Sequence, residues 1–448
     1  MAWGPKLALA IVAAMLVIVP AALAGKGDTK LISRQSAAAG GGGADGSSNS
    51  PVVSGNGRFV AFHSDADNLG GPINPAVDTN TYVRDLKTKR TRLVSRAGDG
   101  GPGGNGDSGF ASISANGRFI AFNTDATNLG GPLDQDALSN IYVHDRKTGR
   151  TTLVSRQSRA AGGAGGDGSS LNPFISANGR FVAFQTFSEN LGGPIETGLR
   201  NIYVYDRKSK RTRLVSRQGP GVGGAGADDD SFDPSISADG RMVTFETSAD
   251  NLGGPIEPAV LRHVYVHDRK TRRTRLVSRA GNDGPGADDQ ADSAVISGNG
   301  RFVAFQTSAD NLGGPTDVSP FIYIHDLRRR TTRLVSRQSA AAGGAGADGS
   351  SADPWISGSG RFVTFETGAD NLGGPLEDVQ NVYVYDRRTR HVKLASRERN
   401  GGPGGDGGSF DPSISLDGRF VAFRTLADNL GGPLDVDVGN LYRNQFRR

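Results

Sequence analysis

The fold is decided by the stretch ASISANGRFIAFNTDATNLGGPLDQDALSNIYVHDRKTGRTTLVSR, residues 111–156, because close copies of it fill the chain. Its Gly-Arg-(Phe/Met) element recurs seven times, about 60 residues apart. A period this regular indicates a repeat architecture, in which every copy builds one structural unit. The glycines of the seven copies are Gly57, Gly117, Gly179, Gly240, Gly300, Gly360 and Gly418.

Each copy predicts four strands, which we name a (111–114 in the quoted copy), b (118–124), c (140–145) and d (151–156). The a–b junction is Asn-Gly or Asp-Gly in six copies and Ser-Gly in the other, which predicts a two-residue hairpin. Strand b is continuously apolar, so it is expected to be buried on both faces. Strand d ends in Ser-Arg, which is typical of an outer edge strand protected by charge.

Seven four-stranded antiparallel units in succession predict a seven-bladed β-propeller, an all-β fold. The seventh copy stops at NLYRNQFRR without a strand d, whereas TKLISRQS at 29–36 is a strand with no hairpin partner. We therefore predict one propeller domain over 25–448. Strand 29–36 completes the last blade, formed by 409–446, and closes the ring.

Residues 1–24 predict a signal peptide, with Lys6, an apolar run and the small-residue motif Ala22-Leu23-Ala24. An uncleaved anchor is the alternative, but Pro20 interrupts the run. No later segment is apolar enough to span a membrane, so we expect a secreted or periplasmic (cell-envelope) protein. The chain contains no cysteine, which excludes disulfides and thiolate sites. Its net charge of +5 suggests some affinity for anionic surfaces.

Three phrases, SFDPSISADGRMVTFETS (231–248), NIYVYDRKSKRTRLVSR (201–217) and SFDPSISLDGRFVAFRT (409–425), resemble the WD40-like repeat of TolB-type propellers. The resemblance covers all seven repeats. It implies an exported bacterial propeller that binds a partner, either a protein or an envelope polymer. TolB has an α/β domain before its propeller, and the early first strand here leaves no room for one. A propeller by itself hosts many functions.

The turns of such a propeller separate into two faces. The a–b and c–d turns share one face, here called the bottom, and the b–c and d–a loops share the other, the top. On top, Asx residues enter strand a and are predicted to rim the central channel, where they could hold Ca²⁺. Ordinary Asx-Pro turn chemistry is the alternative. These residues are Asn172, Asp233, Asp353 and Asp411.

A second set of top residues precedes Asn-Leu-Gly-Gly-Pro in the b–c loops. They could form a ring of carboxylates for a cation, but a feature of nearly every blade is better explained as a repeated turn. His144, His267 and His325 occupy equivalent places in different blades and are not expected to share a metal. The loop carboxylates are Asp67, Glu189, Asp250, Asp310, Asp370 and Asp428.

On the bottom, the arginine that begins each strand b is expected to pair with the aspartate that ends strand c, as Arg58 with Asp85. The c–d turns are rich in Lys and Arg, which predicts a basic face. That face could bind an anionic envelope polymer, or serve solubility only. The residues chosen to test it are Arg272, Arg273, Arg328, Arg329 and Arg330.

We therefore predict a non-catalytic binding or scaffold module in the cell envelope or outside the cell. The first alternative is a hydrolase with a site at the channel mouth. A weaker alternative is a binder of anionic polymers. Nucleic acid is disfavoured as a partner because the basic residues lack interleaved aromatic side chains. Ca²⁺ is the one cofactor that the sequence suggests.

Overall fold

The computed structural model describes residues 29–98, 100–133, 139–220, 224–256, 260, 262–281, 283–315, 320–339, 344–374, 379–398, 402–432 and 438–446. They form seven four-stranded antiparallel sheets, one for each repeat. Each of the first six blades pairs its strands in the order a-b-c-d. The prediction of an all-β, seven-bladed propeller is confirmed. The predicted signal peptide lies outside the described residues.

The strand bounds repeat closely from blade to blade, and the blades are numbered in chain order. Strands a are Ser48–Val53, Ser108–Ile113, Ser170–Ile175, Ser231–Ile236, Ala291–Ile296, Ser351–Ile356 and Ser409–Ile414. Strands b are Phe59–Ser64, Phe119–Thr124, Phe181–Thr186, Met242–Thr247, Phe302–Thr307, Phe362–Thr367 and Phe420–Thr425. Strands c are Asn80–Asp85, Asn140–Asp145, Asn201–Asp206, His263–Asp268, Phe321–Asp326, Asn381–Asp386 and Asn440–Gln445.

The outer strands are shorter. Six strands d follow the turns of blades 1 to 6: Arg90–Leu93, Arg150–Leu153, Arg211–Leu214, Arg273–Leu276, Thr331–Leu334 and His391–Leu394. The N-terminal strand Lys30–Leu31 takes the same place in blade 7. Short 3-10 helices lie in the loops at Ala37–Ala39, Arg159–Ala161, Asp310–Leu312 and Asp370–Leu372.

The predicted closure of the ring is confirmed. Leu31 pairs with Tyr442, and the Ile32 N–H donates to the Leu441 carbonyl at 2.6 Å. Leu31 and Ile32 are buried. The paired strand is shorter than the predicted 29–36, because Arg34 forms an isolated bridge to Gly43 within the following loop.

Strand d is the outer edge strand of its blade, as predicted, but the arginine of the following Ser-Arg does not lie along that edge. Arg96 instead folds back into the d–a loop, where its Nη2 donates to the Gly101 carbonyl at 2.9 Å. The arginine satisfies a carbonyl of the glycine-rich loop, which has few side chains of its own to do so. Equivalent arginines do the same in the other blades.

The a–b turn brings neighbouring blades into contact. Gly117 has a φ of 69°, and a Cβ added there would lie 2.1 Å from the Phe59 ring of the preceding blade. Only glycine meets both demands. The commonest two-residue hairpin also needs a positive φ at the residue before the glycine, but Asn116 does not have one. Its Oδ1 accepts from the Arg118 N–H at 3.0 Å.

Stacked arginines hold the same blade interface. The Phe59 ring lies under Arg58 of its own blade at 4.6 Å and Arg146 of the next blade at 4.0 Å. In blade 4 Met242 replaces the phenylalanine, and in blade 5 Leu327 replaces the facing arginine. A thioether offers no π face to a guanidinium, so the apolar Leu327 suits Met242. Blade 1 also has a leucine at this position, Leu86, although the facing Phe420 is retained.

The predicted arginine–aspartate pairs are confirmed as two-point contacts in blades 1 to 6. Arg241 Nε and Nη2 donate to the two oxygens of Asp268 at 2.9 and 2.6 Å. These hydrogen bonds hold the pKa of Asp268 well below its ordinary value. The pairs are Arg58–Asp85, Arg118–Asp145, Arg180–Asp206, Arg241–Asp268, Arg301–Asp326 and Arg361–Asp386.

Candidate functional site at the channel mouth

One residue near the top end of every strand a has the same strained backbone conformation, although the residue type differs between blades. The third residue of each strand has a φ between 43° and 51°, and the pairing with strand b shifts register around it. Residues other than glycine rarely adopt this conformation, which costs about 1–3 kcal/mol, and such bulges redirect side chains. These seven bulge residues rim the channel: Ser50, Phe110, Asn172, Asp233, Ser293, Asp353 and Asp411.

The four residues predicted to bind Ca²⁺ all lie at this rim but fall into two separate groups. Asn172 Nδ2 donates to Asp233 Oδ1. Asp353 and Asp411 join Glu366, and one oxygen from each of the three carboxylates lies within 4.8 Å of the others. Three carboxylate oxygens this close are a ligand set suited to a hard cation. This is the one such grouping among the described residues.

Glu366 belongs to a ring of residues that sequence reasoning missed. It is the fifth residue of its strand b, and this position is polar in all seven blades although the preceding four residues are mostly apolar. The sequence does contain a signal for this position, because its residue type varies from blade to blade. A position that only builds the blade should keep the same residue type in every repeat. We call these residues the b5 ring: His63, Asn123, Gln185, Glu246, Gln306, Glu366 and Arg424.

Some residues of the b5 ring accept hydrogen bonds from the backbone of the bulge residues. Gln185 Oε1 accepts from the Asp233 N–H at 2.9 Å, and Glu366 Oε2 accepts from the Asp411 N–H at 2.9 Å. Each bond runs from one blade to strand a of the next, where the bulge removes the N–H from its ladder. These b5 residues therefore join adjacent blades at the level of the rim residues.

Four members of the b5 ring keep a buried polar atom with no hydrogen bond to the protein. These atoms are His63 Nδ1, Asn123 Oδ1, Glu246 Oε2 and Arg424 Nε. Buried polar atoms are nearly always hydrogen-bonded, so these four are atoms that water or a ligand could complete. Other bare atoms lie elsewhere in the described chain, but four of the seven b5 positions contribute one. The nearest cation to Glu246 Oε2 is Arg262 Nη1, at 3.8 Å.

The two glutamates of the b5 ring have raised pKa values. Burial, then the charges of Asp233 and Asp292, raises the pKa of Glu246 to about 8. Burial, then Asp353, raises the pKa of Glu366 to about 7. Crowded carboxylates in a partly dry ring disfavour the ionised form. The mouth therefore holds protons near neutral pH, and a cation would displace them.

Large apolar side chains are exposed at the top of three blades, near the b5 ring. The three large hydrophobic residues that are exposed among the described residues, Phe110, Phe187 and Leu426, are 54%, 38% and 48% exposed, and all lie at the top ends of strands a or b. Arg200 stacks on Phe187 at 4.7 Å and on Phe232 at 4.6 Å. An exposed apolar patch next to bare polar atoms is typical of a binding surface.

The channel is closed below the mouth. Phe174 and Trp355, from blades 3 and 6, stack across it with ring centroids 5.6 Å apart. The apolar lower channel retains a cavity of only about 60 Å³. At the bottom, hydrogen bonds link a–b turns, such as the Asp417 N–H to the Gly55 carbonyl at 3.3 Å. The mouth is thus a recess with an aromatic floor, and not the entrance of an open pore.

The other predicted sites stay apart from this recess. Each Asn-Leu-Gly-Gly-Pro asparagine braces its d–a loop, as Asn68 Nδ2 does by donating to the Gly43 carbonyl at 2.9 Å. This supports the interpretation as a repeated turn. His267 and His325 are buried in their own blades, each bonded to a threonine. The five test arginines of the bottom face are exposed, and Arg330 also pairs with Asp283 at 2.6 Å.

These features define a seven-bladed β-propeller with a recess at its top. The recess is closed at its lower end and is lined by residues that differ between blades. The chain belongs to a family of unknown function, DUF7453, whose model matches residues 21–398. No curated protein matches it significantly in sequence. No helix among the described residues has the length and apolarity needed to cross a membrane.

Several solved structures are similar in fold. An oligogalacturonate lyase from Vibrio parahaemolyticus has 11% identity, coverage of 93% of this chain and 91% of that chain, and a TM-score of 0.49. TolB from Acinetobacter baumannii has 14% identity, coverage of 82% of this chain and 76% of that chain, and a TM-score of 0.39. A prolyl endopeptidase has 13% identity, coverage of 85% of this chain and 46% of that chain, and a TM-score of 0.51. At these identities the likeness shows the propeller fold alone.

Proposed function

We propose that the protein is an exported, non-catalytic binding module whose ligand occupies the recess at the channel mouth. The observation that carries this proposal is the b5 ring. Seven blades that repeat elsewhere carry different polar side chains there, and four of these keep an atom without a hydrogen bond. Repetition builds the fold, whereas variation at one ring of positions builds a specific surface. Export is inferred from residues 1–24.

The floor of the recess supplies a reporter. The chain has two tryptophans, and Trp3 lies within the predicted signal peptide, so a chain that starts at Gly25 carries Trp355 alone. Its emission and the melting temperature can be followed with Ca²⁺, spermidine, neutral and acidic tetrasaccharides, and basic and acidic peptides. We expect at least one class of ligand to change both signals in a saturable manner.

Two variants locate the response. Asn123→Ala with Arg424→Gln alters the recess, and Gln already stands at the b5 position of blades 3 and 5. Arg328→Gln with Arg329→Gln alters the bottom face and is the control. Loss of the response in the first variant alone supports the proposal. A response that survives in the first variant, or no response to any class, contradicts it.

The hydrolase alternative makes a different prediction from the same mixtures. A catalytic site would consume its ligand, so the Trp355 signal would decay with time as products form. Mass spectrometry of the incubated ligands detects this. A stable signal with unchanged ligand agrees with a binding module.

A further inference from the structure

The bare polar atoms of the mouth include both acceptors and donors. Asn123 Oδ1 can only accept, whereas Arg424 Nε and Arg200 Nε can only donate. The Glu246 carboxyl accepts when it is ionised and can also donate when it is protonated. A metal ion or an ammonium group would satisfy the acceptors alone, and a phosphate or carboxylate would satisfy the donors alone. A hydroxyl group both donates and accepts. The wall therefore fits a ligand with several hydroxyl groups.

The recess also offers apolar faces beside these atoms. Phe110 is 54% exposed and follows Gly109, which pairs with Asn123 across the sheet. A Cβ at Gly109 would have no atom within 4 Å, so open space lies beside the pairing partner of Asn123. The stacked Phe174 and Trp355 form the floor. A pyranose ring presents C–H groups on its faces and hydroxyl groups at its edges, and aromatic rings pack well against such faces.

Charge narrows the choice of sugar. Six carboxylates border the mouth: Asp233, Glu246, Asp292, Asp353, Glu366 and Asp411. Three arginines face them, and all three already stack on phenylalanines: Arg200, Arg262 and Arg424. Burial keeps Glu246 and Glu366 largely protonated near neutral pH, so the four aspartates exceed the three arginines by one charge. This small excess of negative charge disfavours an acidic saccharide relative to a neutral or cationic one.

From these contacts we infer that the channel mouth binds a neutral or amino-substituted saccharide, with one sugar ring against Phe110 and a hydroxyl group on Asn123. This inference rests on the proposed function, because it names the class of ligand for the same recess. The aromatic floor excludes a chain threaded through the propeller, so the ligand enters by one end.

The test is calorimetry and Trp355 emission with three tetrasaccharides: cellotetraose, the tetramer of glucosamine, and tetragalacturonate. We expect at least one of the first two to bind, and tetragalacturonate to bind at least tenfold more weakly. Phe110→Ser introduces the residue that blades 1 and 5 carry at the same bulge, so the fold should tolerate it. Phe110→Ser and Asn123→Ala should each weaken binding about tenfold or more.

Lys147→Ala, on the bottom face of the same blade, is the matched control and should bind normally. Equal or tighter binding of tetragalacturonate, no binding of either other sugar, or full affinity in both mouth variants would overturn the inference. A mouth-dependent Trp355 response to Ca²⁺, an amine or a peptide without any sugar binding would overturn the saccharide alone and leave the proposed recess function standing.

Discussion

Glu246 shows at the scale of one residue how the fold constrains the mouth. Its side chain is fully buried, and Oε1 accepts from the Ala294 N–H of the next blade at 3.2 Å. Burial raises its pKa from 4.5 to about 8, so the native chain retains a proton that the unfolded chain releases above about pH 4.5. The free energy of unfolding must therefore fall as the pH rises from 4.5 to 8.

We predict that Glu246→Gln removes this dependence. At pH 5 the variant and the wild type should be nearly equally stable, because a protonated carboxyl and an amide are close in shape. At pH 9 the variant should be more stable by about 1–3 kcal/mol, the cost of a buried group left unsatisfied. Urea unfolding at both pH values measures this. Gln306→Glu should introduce the same dependence in blade 5, and a stability difference independent of pH would contradict the assignment.

The prediction of Ca²⁺ binding now has a defined set of residues. Ca²⁺ bound by Asp353, Glu366 and Asp411 should raise the melting temperature. The free energy of unfolding should rise by about 2.7 kcal/mol at a hundredfold excess of Ca²⁺ over its Kd. Asp353→Asn with Asp411→Asn should abolish the shift. Asp370→Asn with Asp428→Asn, at exposed loop carboxylates, should keep it. Calorimetry that detects no heat with millimolar Ca²⁺ would dispose of the site.

At the scale of the strand, the N-terminal segment closes the ring with few residues. Burial of Leu31 and Ile32 contributes about 1.5–3 kcal/mol each, and each hydrogen bond to the last strand c adds about 0.5–1.5 kcal/mol. The Thr29 hydroxyl also donates to the Arg397 carbonyl at 2.9 Å, which ties the segment to blade 6. These contributions approach the stability of a whole domain.

We predict that a chain starting at Gly40 loses cooperative unfolding or exchanges strands into oligomers. Blade 7 then lacks its outer strand, and its exposed strand c becomes a free edge. Calorimetric melting and light scattering, compared with a chain that starts at Gly25, measure the effect. A monomer that melts within a few degrees of that longer chain would show that the clasp contributes little.

At the scale of the molecule, the two faces of the propeller differ in charge. The bottom presents the exposed arginines of the c–d turns, and the top presents loop aspartates and the carboxylates of the mouth. A net charge of +5 therefore conceals a separation of charge across the disc. Such a face can attract an anionic polymer or can keep edge strands apart.

We predict that attachment to an anionic polymer, if the bottom face provides it, depends on charge and salt. Changing Arg272, Arg273, Arg328, Arg329 and Arg330 to Gln should lower the salt needed to elute the protein from heparin, since salt screens charges over ~10 Å at 0.1 M. The same five changes to Lys keep the charge and should keep the retention. Equal elution of the Gln variant and the wild type would leave this face with a role in solubility only.

Much of this protein could be predicted from the sequence alone. The period of the Gly-Arg-(Phe/Met) element, the alternation of turns and strands, and the missing strand d after Tyr442 determine the propeller and its closure. These are local patterns, and every repeat states them again. The arginine–aspartate pairs follow as well, because antiparallel register within one blade fixes which residues face each other.

The mouth was decided by tertiary structure. Glu366 meets Asp411, 45 residues further along, because ring closure places strand b of one blade beside strand a of the next. The bulges that direct the rim residues inward do not share one residue type, since Ser, Phe, Asn and Asp all occupy the bulge position. The residue type therefore does not reveal the bulge. Contacts between blades and strain at a bulge depend on packing around the axis, and a repeat pattern read one blade at a time does not contain them.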